Sequence, residues 1–217
     1  CIVVDDGSTD ETAVLAKRAG AELIIHASNR GKGAAVRSAL ACLRGTPFSY
    51  AVLLDADGQH DPAEIPRFCE AARRHDADMV LGTRMHAPAG MPWLRRITNR
   101  TMSRIISGLC GVPLTDTQCG YRLLSRRAVE RMRLTTSNFE VESEMLLDAT
   151  RQGLTITEVP VRSIYGDDNT SHIRPVRDTI RFLRLVSKLM AVRLLGRGAR
   201  DRDKRPKPGA SERGDAS

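Results

Sequence analysis

A chain of 217 residues, 41% hydrophobic and 28% charged, is long enough for one full α/β domain with a sizeable core, and its composition excludes disordered and fibrous classes. Aromatic residues make up only 4%, too few for a stacking surface on single-stranded nucleic acid. The net charge is +8; seven basic and four acidic residues from 196 onward supply +3 of it, so +5 is spread over the body, as expected of a protein that meets phosphates or an anionic membrane.

Apolar runs of four to six residues alternate with helical patterns, which is the signature of parallel βαβ units. Residues 2–4 form a short buried strand that ends in Asp5-Asp6-Gly7-Ser8-Thr9-Asp10, where Ser8 or Thr9 caps the next helix and Glu11 faces its dipole. A second strand at 23–25 precedes Gly31-Lys32-Gly33, which opens a helix through about Arg44. Residues 50–54 are a strand running into an acidic turn, and Pro62 starts another helix. A strand at 79–81 ends in Gly82-Thr83-Arg84; residues 92–109 are helical; 121–124 return to the sheet. A helix over 142–152, closed by Gly153, is followed by a strand over 155–161 and a last helix over 178–195. That last helix has an apolar stripe (Ile180, Leu183, Val186, Met190, Leu194) beside a basic one (Arg181, Arg184, Lys188), a pattern that suits a membrane interface or ordinary packing on the domain. Residues 196–217, rich in Gly, Pro and charge, read as a disordered tail.

The five cysteines (Cys1, Cys42, Cys69, Cys110, Cys119) show no Cys-x-x-Cys pair, which points to a reducing compartment. No stretch of about 18 uncharged apolar residues predicts a membrane-spanning helix. There is no signal peptide and no initiator Met, and the chain opens directly in a strand, so it reads as a fragment whose beginning is missing.

Three charged clusters fall at the carboxyl ends of predicted strands, where open α/β sheets bind ligands: Asp5-Asp6, Asp55-Ala56-Asp57 and Arg84. On an extended segment Asp55 and Asp57 project together, and Gln59 can add a third oxygen. Two carboxylates and an amide suit Mg²⁺ or Mn²⁺ held partly by substrate phosphates. An Asp-Gly turn alone would need neither the second Asp nor its place directly after Ala51-Val52-Leu53-Leu54. Asp6 can accept from a nucleobase edge or a ribose, or can cap a helix. The Asn29-Arg30-Gly31-Lys32-Gly33 turn fits a phosphate-binding helix entry and a plain one equally. Arg84 is a candidate phosphate contact. Arg96 and Arg100 share a helical face, as do Arg100 and Arg104; with Asn99 they offer either a solvated face or an anionic-acceptor site. No Ser-His-Asp or Cys-His grouping and no zinc site can be argued.

The stretches Asp-Asp-Gly-Ser at 5–8, Asp-Ala-Asp-Gly-Gln-His at 55–60, Gly-Thr-Arg at 82–84 and Thr-Asp-Thr-Gln-Cys-Gly-Tyr-Arg at 115–122 resemble family 2 glycosyltransferases of the GT-A fold, in particular the dolichyl- and polyprenyl-phosphate sugar synthases. The resemblance implies a Rossmann-like open sheet, mostly parallel, with helices on both faces, over residues 1–175, then an amphipathic helix at 176–195. It implies a metal-dependent enzyme that moves a hexose from a UDP- or GDP-sugar to a lipid phosphate with inversion, at the inner face of a membrane in the cytoplasm. By position, Val4 and Asp6 line the nucleoside site. Asp55, Ala56 and Asp57 hold the donor, with Asp55, Asp57 and Gln59 on the metal. Arg84 meets the donor diphosphate or the acceptor phosphate, and Asp116 is a base if the acceptor is a hydroxyl. Arg96, Asn99, Arg100 and Gln118 fall on the acceptor side. The family's first strand, with its Pro and Asn-Glu motif, is absent before Cys1. Tyr165-Gly166-Asp167 and Ser171-His172 stand where the mannosyl enzymes have an Arg and a Ser-Lys pair, with His172 in place of the Lys at the donor.

Overall fold

Short aliphatic runs form strands, and the stretches between them form helices, in a computed structural model that describes residues 1–85, 93–138, 140–162 and 164. The strands are β1 (Ile2–Asp5), β2 (Glu22–Ile25), β3 (Tyr50–Leu53), β4 (Met79–Thr83), β5 (Arg122–Ser125) and β6 (Ile156–Pro160). The helices are α1 (Thr12–Arg18), α2 (Lys32–Arg44), α3 (Ile65–Arg74), α4 (Trp93–Cys110), α5 (Arg126–Arg131) and α6 (Val141–Arg151). His172, the helix expected at 176–195 and the tail from 196 lie outside the described residues.

β1 and β2 pair in parallel, and β3, β5, β4 and β6 form a second sheet in that spatial order. In it β4 and β6 are parallel, whereas β5 is antiparallel to both β3 and β4. The expected, mostly parallel sheet is therefore mixed, through one reversed strand. This reversal matters for the site. β5 enters the sheet where β3 and β4 leave it, with Arg122 opposite both Leu53 and Leu81. The segment just before β5 is thus delivered to the same sheet edge as the segments just after β3 and β4.

β4 is buried along its whole length, as a strand with neighbours on both sides should be. Phe68 and Ala72 of α3 pack onto Val80, Leu123, Val159, Val161, Cys119 and Tyr121, and all of these are buried. Each large apolar side chain so buried contributes roughly 1.5–3 kcal/mol. Burial pushes the Cys119 thiol up to about 11, so it is a core residue and not a nucleophile.

Two local expectations differ from the structure. The first helix starts at Thr12, not after Ser8 or Thr9: Asp10 takes the Thr12 amide at 3.0 Å, while the Ser8 amide donates to Asp5 at 2.8 Å. The helix after Pro62 begins as a 3-10 turn (Pro62–Glu64) with Asp61 as its cap. α5, capped by Ser125 through the Ala128 amide, has six residues, too few to show a periodicity.

Candidate functional site at the sheet edge

The acidic turn follows β3. That strand stops at Leu53, and residues 56–58 bend away, with Gly58 at φ 73°. The two carboxylates therefore stand in different surroundings, instead of projecting side by side from an extended segment. Asp57 is exposed and its Oδ1 accepts from the Gln59 amide at 3.0 Å, a closed Asx turn. Asp55 is half-buried against Gly120, with room for no atom between them: a β-carbon at 120 would lie 2.3 Å from Asp55 Oδ2.

Asp55 also meets Lys32 of the glycine-lysine turn and, through it, Glu142, which no motif singled out. Lys32 Nζ lies 2.7 Å from Asp55 Oδ2 and 2.6 Å from Glu142 Oε1. Burial would lower the Lys32 pKa, but Glu142 and Asp55 outweigh it and raise it, so the side chain stays an ammonium. Glu142 Oε2 is buried and has no hydrogen-bond partner. In sequence, the acids at 142, 144 and 148 belong only to the helix expected over 142–152. In the fold every residue from Val141 to Ala149 is buried, and each of these acids meets a specific group. Glu144 takes the amides and hydroxyls of Thr135 and Thr136, and Asp148 takes the Arg133 amide.

The Gly31-Lys32-Gly33 turn is shaped by Asp6. Its Oδ1 accepts from His26 Nδ1 at 2.5 Å and from the Arg30 amide at 3.0 Å, and its Oδ2 from the Gly31 amide at 2.7 Å. Burial would raise the Asp6 pKa; the His26 hydrogen bond and the two amides overcome this and hold it below the usual carboxylate range. His26, which stands far from any motif in sequence, is buried between Asp6 and Ser38 Oγ, 2.9 Å from Nε2. Thus Asp6 anchors the start of α2, and Val4 lies half-buried two residues before it. Gly31, at φ 89°, and Gly33 have no alternative here, because side chains at either position would strike the carbonyls of Ser137 and Thr136.

Arg84 and Asp116 are brought together and hold each other. Arg84 Nε and Nη2 donate to Asp116 Oδ2 at 2.7 Å and Oδ1 at 2.9 Å, and the Arg84 amide adds 3.1 Å. Asn99 Nδ2 donates to Asp116 Oδ1 at 2.8 Å. Asp116 is fully buried; burial alone would raise its pKa, but the Arg84 and Asn99 hydrogen bonds and the Arg84 charge drive it below the usual range. A carboxylate so held is a poor base, which weighs against the role expected of Asp116 with a hydroxyl acceptor. Asn99 likewise turns inward to this pair and not toward an acceptor. Arg96 is half-buried with Nε unpartnered, Arg100 is exposed, and Gln118 Nε2 donates to Ser143 Oγ at 3.2 Å.

Arg122, buried and 1% exposed, donates to the carbonyls of Thr117, Cys119 and Glu142, tying the 117–119 turn to the first residues of α6. His60 is buried beside Tyr121 with Nδ1 unpartnered, and burial pushes its pKa down.

Asp55, Asp57 and Gln59 on the acidic turn, with Glu142 joined to Asp55 through Lys32, offer hard oxygen donors of the kind that suit Mg²⁺ or Mn²⁺. Among the described residues no three His, Cys, Asp or Glu side chains converge on one point, so such an ion would need ligand oxygens to complete its shell.

The mixed sheet thus carries an acidic turn and a buried Arg-Asp pair at the edge where β3 and β4 leave it. Residues 1–133 match the family described as Glycosyl transferase family 2, and the chain belongs to that family. It is 33% identical to glycosyltransferase AglJ of Haloferax volcanii over 82% of this chain and 58% of that protein. It is 31% identical to the UDP-N-acetylglucosamine–dolichyl-phosphate N-acetylglucosaminyltransferase of Methanococcus voltae over 76% of this chain and 75% of the relative. Among solved structures it resembles Mycobacterium tuberculosis glucosyl-3-phosphoglycerate synthase, crystallised with Mn²⁺, UDP and glucosyl-3-phosphoglycerate. The TM-score is 0.62 at 19% identity, over 88% of this chain and 67% of that one. The expected family and fold are thereby established.

Proposed function

We propose that this chain transfers a hexose from a nucleoside diphosphate sugar to a polyprenyl or dolichyl phosphate, with inversion and with Mg²⁺ or Mn²⁺ at the acidic turn. The observation that carries the donor half is the meeting of Asp55, Lys32 and Glu142 at one sheet edge, with Asp57 beside them and one buried Glu142 oxygen still unpartnered. Val4, Asp6 and Ala56 take the nucleoside side of this site, and Asp55, Asp57 and Gln59 the metal side. The metal, when bound, neutralises the charge that grows on the departing diphosphate. Arg84, charged but balanced by Asp116, shapes the edge at which that charge develops. Donor and lipid-phosphate chemistry of this type is carried by the Methanococcus relative, and UDP with Mn²⁺ by the structural neighbour.

A phosphate acceptor would need no base from the site. A phosphate monoester has a second pKa near ~6, so it arrives as an anionic nucleophile. Asp116, with its lowered pKa and four hydrogen bonds, is not needed to activate it. On α4, Trp93 is 73% and Ile97 54% exposed, with Arg100 and Arg104 exposed on the same helix. Apolar and basic side chains together favour an anionic lipid surface, where a lipid phosphate would be met. No helix among the described residues is long and apolar enough to cross a membrane.

The direct test offers polyprenyl phosphate and its dephosphorylated alcohol to the full chain in detergent, with UDP- and GDP-sugars and either metal. Transfer to the phosphate alone is expected; transfer to the alcohol or to another hydroxyl would replace the lipid-phosphate reading with a hydroxyl-acceptor one. Asp57→Ala should abolish transfer and metal-dependent donor binding while the fold survives. Activity retained at saturating Mg²⁺ and Mn²⁺ would remove the metal assignment.

A further inference from the structure

We infer that Lys32 is a resident counterion of the acidic turn: an incoming divalent metal has to displace it from Asp55, and Glu142 then retains the displaced ammonium beside the donor diphosphate. The inference rests on the metal-and-diphosphate reading above and adds an order to it, because it makes metal and nucleotide bind as partners.

The geometry is that of one cation shared by two carboxylates. Lys32 Nζ is 2.7 Å from Asp55 and 2.6 Å from Glu142, and the side chains of Lys32 and Glu142 are only 23% and 7% exposed. The root of Lys32 is fixed. It is the first residue of α2, the Gly31 amide before it is held by Asp6, and the Gly33 amide after it donates to Ser137 O at 3.0 Å. Only the flexible side chain is left to move. Asp55 and Glu142 against one ammonium leave a formal charge of −1, and Asp57, two residues along the chain from Asp55, takes the acidic turn and its partners to −2. One divalent cation would balance it.

A metal and an ammonium cannot share the same carboxylate oxygen at contact distance without strong repulsion. Two positive charges of +2 and +1 about 4 Å apart oppose each other by about 2 kcal/mol even in water-like surroundings. The bare ion therefore meets a site already partly neutralised, and its affinity is reduced by the ammonium. A donor diphosphate changes the balance, since its oxygens give the metal new ligands and give Lys32 an anion to turn to. Glu142 keeps hold of the ammonium throughout through Oε1. Its other oxygen, Oε2, is buried and unpartnered, which marks the cluster as one that is completed on ligand binding. Because coupling between two ligands is reciprocal, nucleotide must tighten metal by the factor by which metal tightens nucleotide.

The test is Mn²⁺ affinity, read from free Mn²⁺ by electron paramagnetic resonance, with and without UDP or GDP, on the full chain. Wild type should bind Mn²⁺ weakly alone and at least about tenfold more tightly with nucleotide. Lys32→Met and Lys32→Gln should each bind Mn²⁺ alone at least about tenfold more tightly than wild type, and nucleotide should then add little. Lys32→Arg, which keeps the charge, should behave as wild type. Circular dichroism reports whether each variant is folded, and either neutral variant suffices. If wild type binds Mn²⁺ with nucleotide but both folded neutral variants bind the free ion no more tightly than wild type, the counterion role is overturned. If wild type binds no Mn²⁺ with or without nucleotide, it is the metal reading itself that fails.

Discussion

Replacing Gly120 with alanine would move one carboxylate and little else. An added Cβ would sit 2.3 Å from Asp55 Oδ2, 2.8 Å from its Cγ and 3.0 Å from Oδ1, whereas ordinary contacts begin at 3.4 Å. The carboxylate must therefore retreat by about 1 Å. It can do so: the atoms that are struck belong to the end of a side chain 32% exposed, and the backbone at 120 is not left-handed. Fold stability should fall by less than about 1.5 kcal/mol, the scale of a tolerated core change. The 2.7 Å contact with Lys32 is lost, however, and so is the placement of the candidate metal ligand. A misplacement of about 1 Å at a reacting centre costs about 10²-fold. Thermal melting, Mn²⁺ affinity with nucleotide and kcat/KM for the donor sugar together check this. The expected pattern is a nearly unchanged melting temperature with both functional constants depressed. A Gly120→Ala chain with wild-type kcat/KM would refute the claim that Gly120 sets the position of Asp55, and a chain that fails to fold would refute the claim that the side chain yields.

Asp116→Asn should destabilise the fold by about 3–5 kcal/mol in urea unfolding, because it breaks the buried ion pair between Asp116 and the Arg84 guanidinium. The Asp116 pKa is lowered in the fold, so the stabilisation is present above the unfolded carboxylate value near ~3.9 and is lost as pH falls through the folded one. For His60 the direction is the same, but the cause is burial of the ring and not an ion pair. Burial lowers its pKa, the unfolded chain takes up the proton first, and stability therefore declines as pH drops below about 6.5 and is level above it. Comparing wild type with His60→Phe in urea between about pH 5.5 and 7.5 isolates this contribution; equal slopes for the two proteins would show that folding leaves the His60 pKa unchanged.

Much of the molecule is legible from its residues in order. The aliphatic runs at β1, β3 and β4, the helix after Gly31 and the acidic turn after β3 all follow from local composition, since a strand or helix announces itself by periodicity over a few residues. The four motifs that carry the family resemblance are also local. What the sequence did not determine is which groups face each other. Lys32 and Glu142 are 110 positions apart, one in a turn that fits a phosphate-binding or a plain helix entry and the other in an expected helix, yet they share one ion pair because α6 is buried from Val141 to Ala149. His26 belongs to no motif and becomes the partner of Asp6 only through the parallel pairing of β1 with β2, which sets Asp5 opposite Ile25. Arg84 and Asp116, expected to act on ligands separately, neutralise each other, because β5 runs antiparallel to β4 and brings the 115–121 segment back to the edge where Arg84 leaves the sheet. Strand direction is set by connections and packing across the whole domain, not by the residues of the strand. The candidate ligands were therefore readable from sequence, and their roles were decided by one reversed strand and one buried helix.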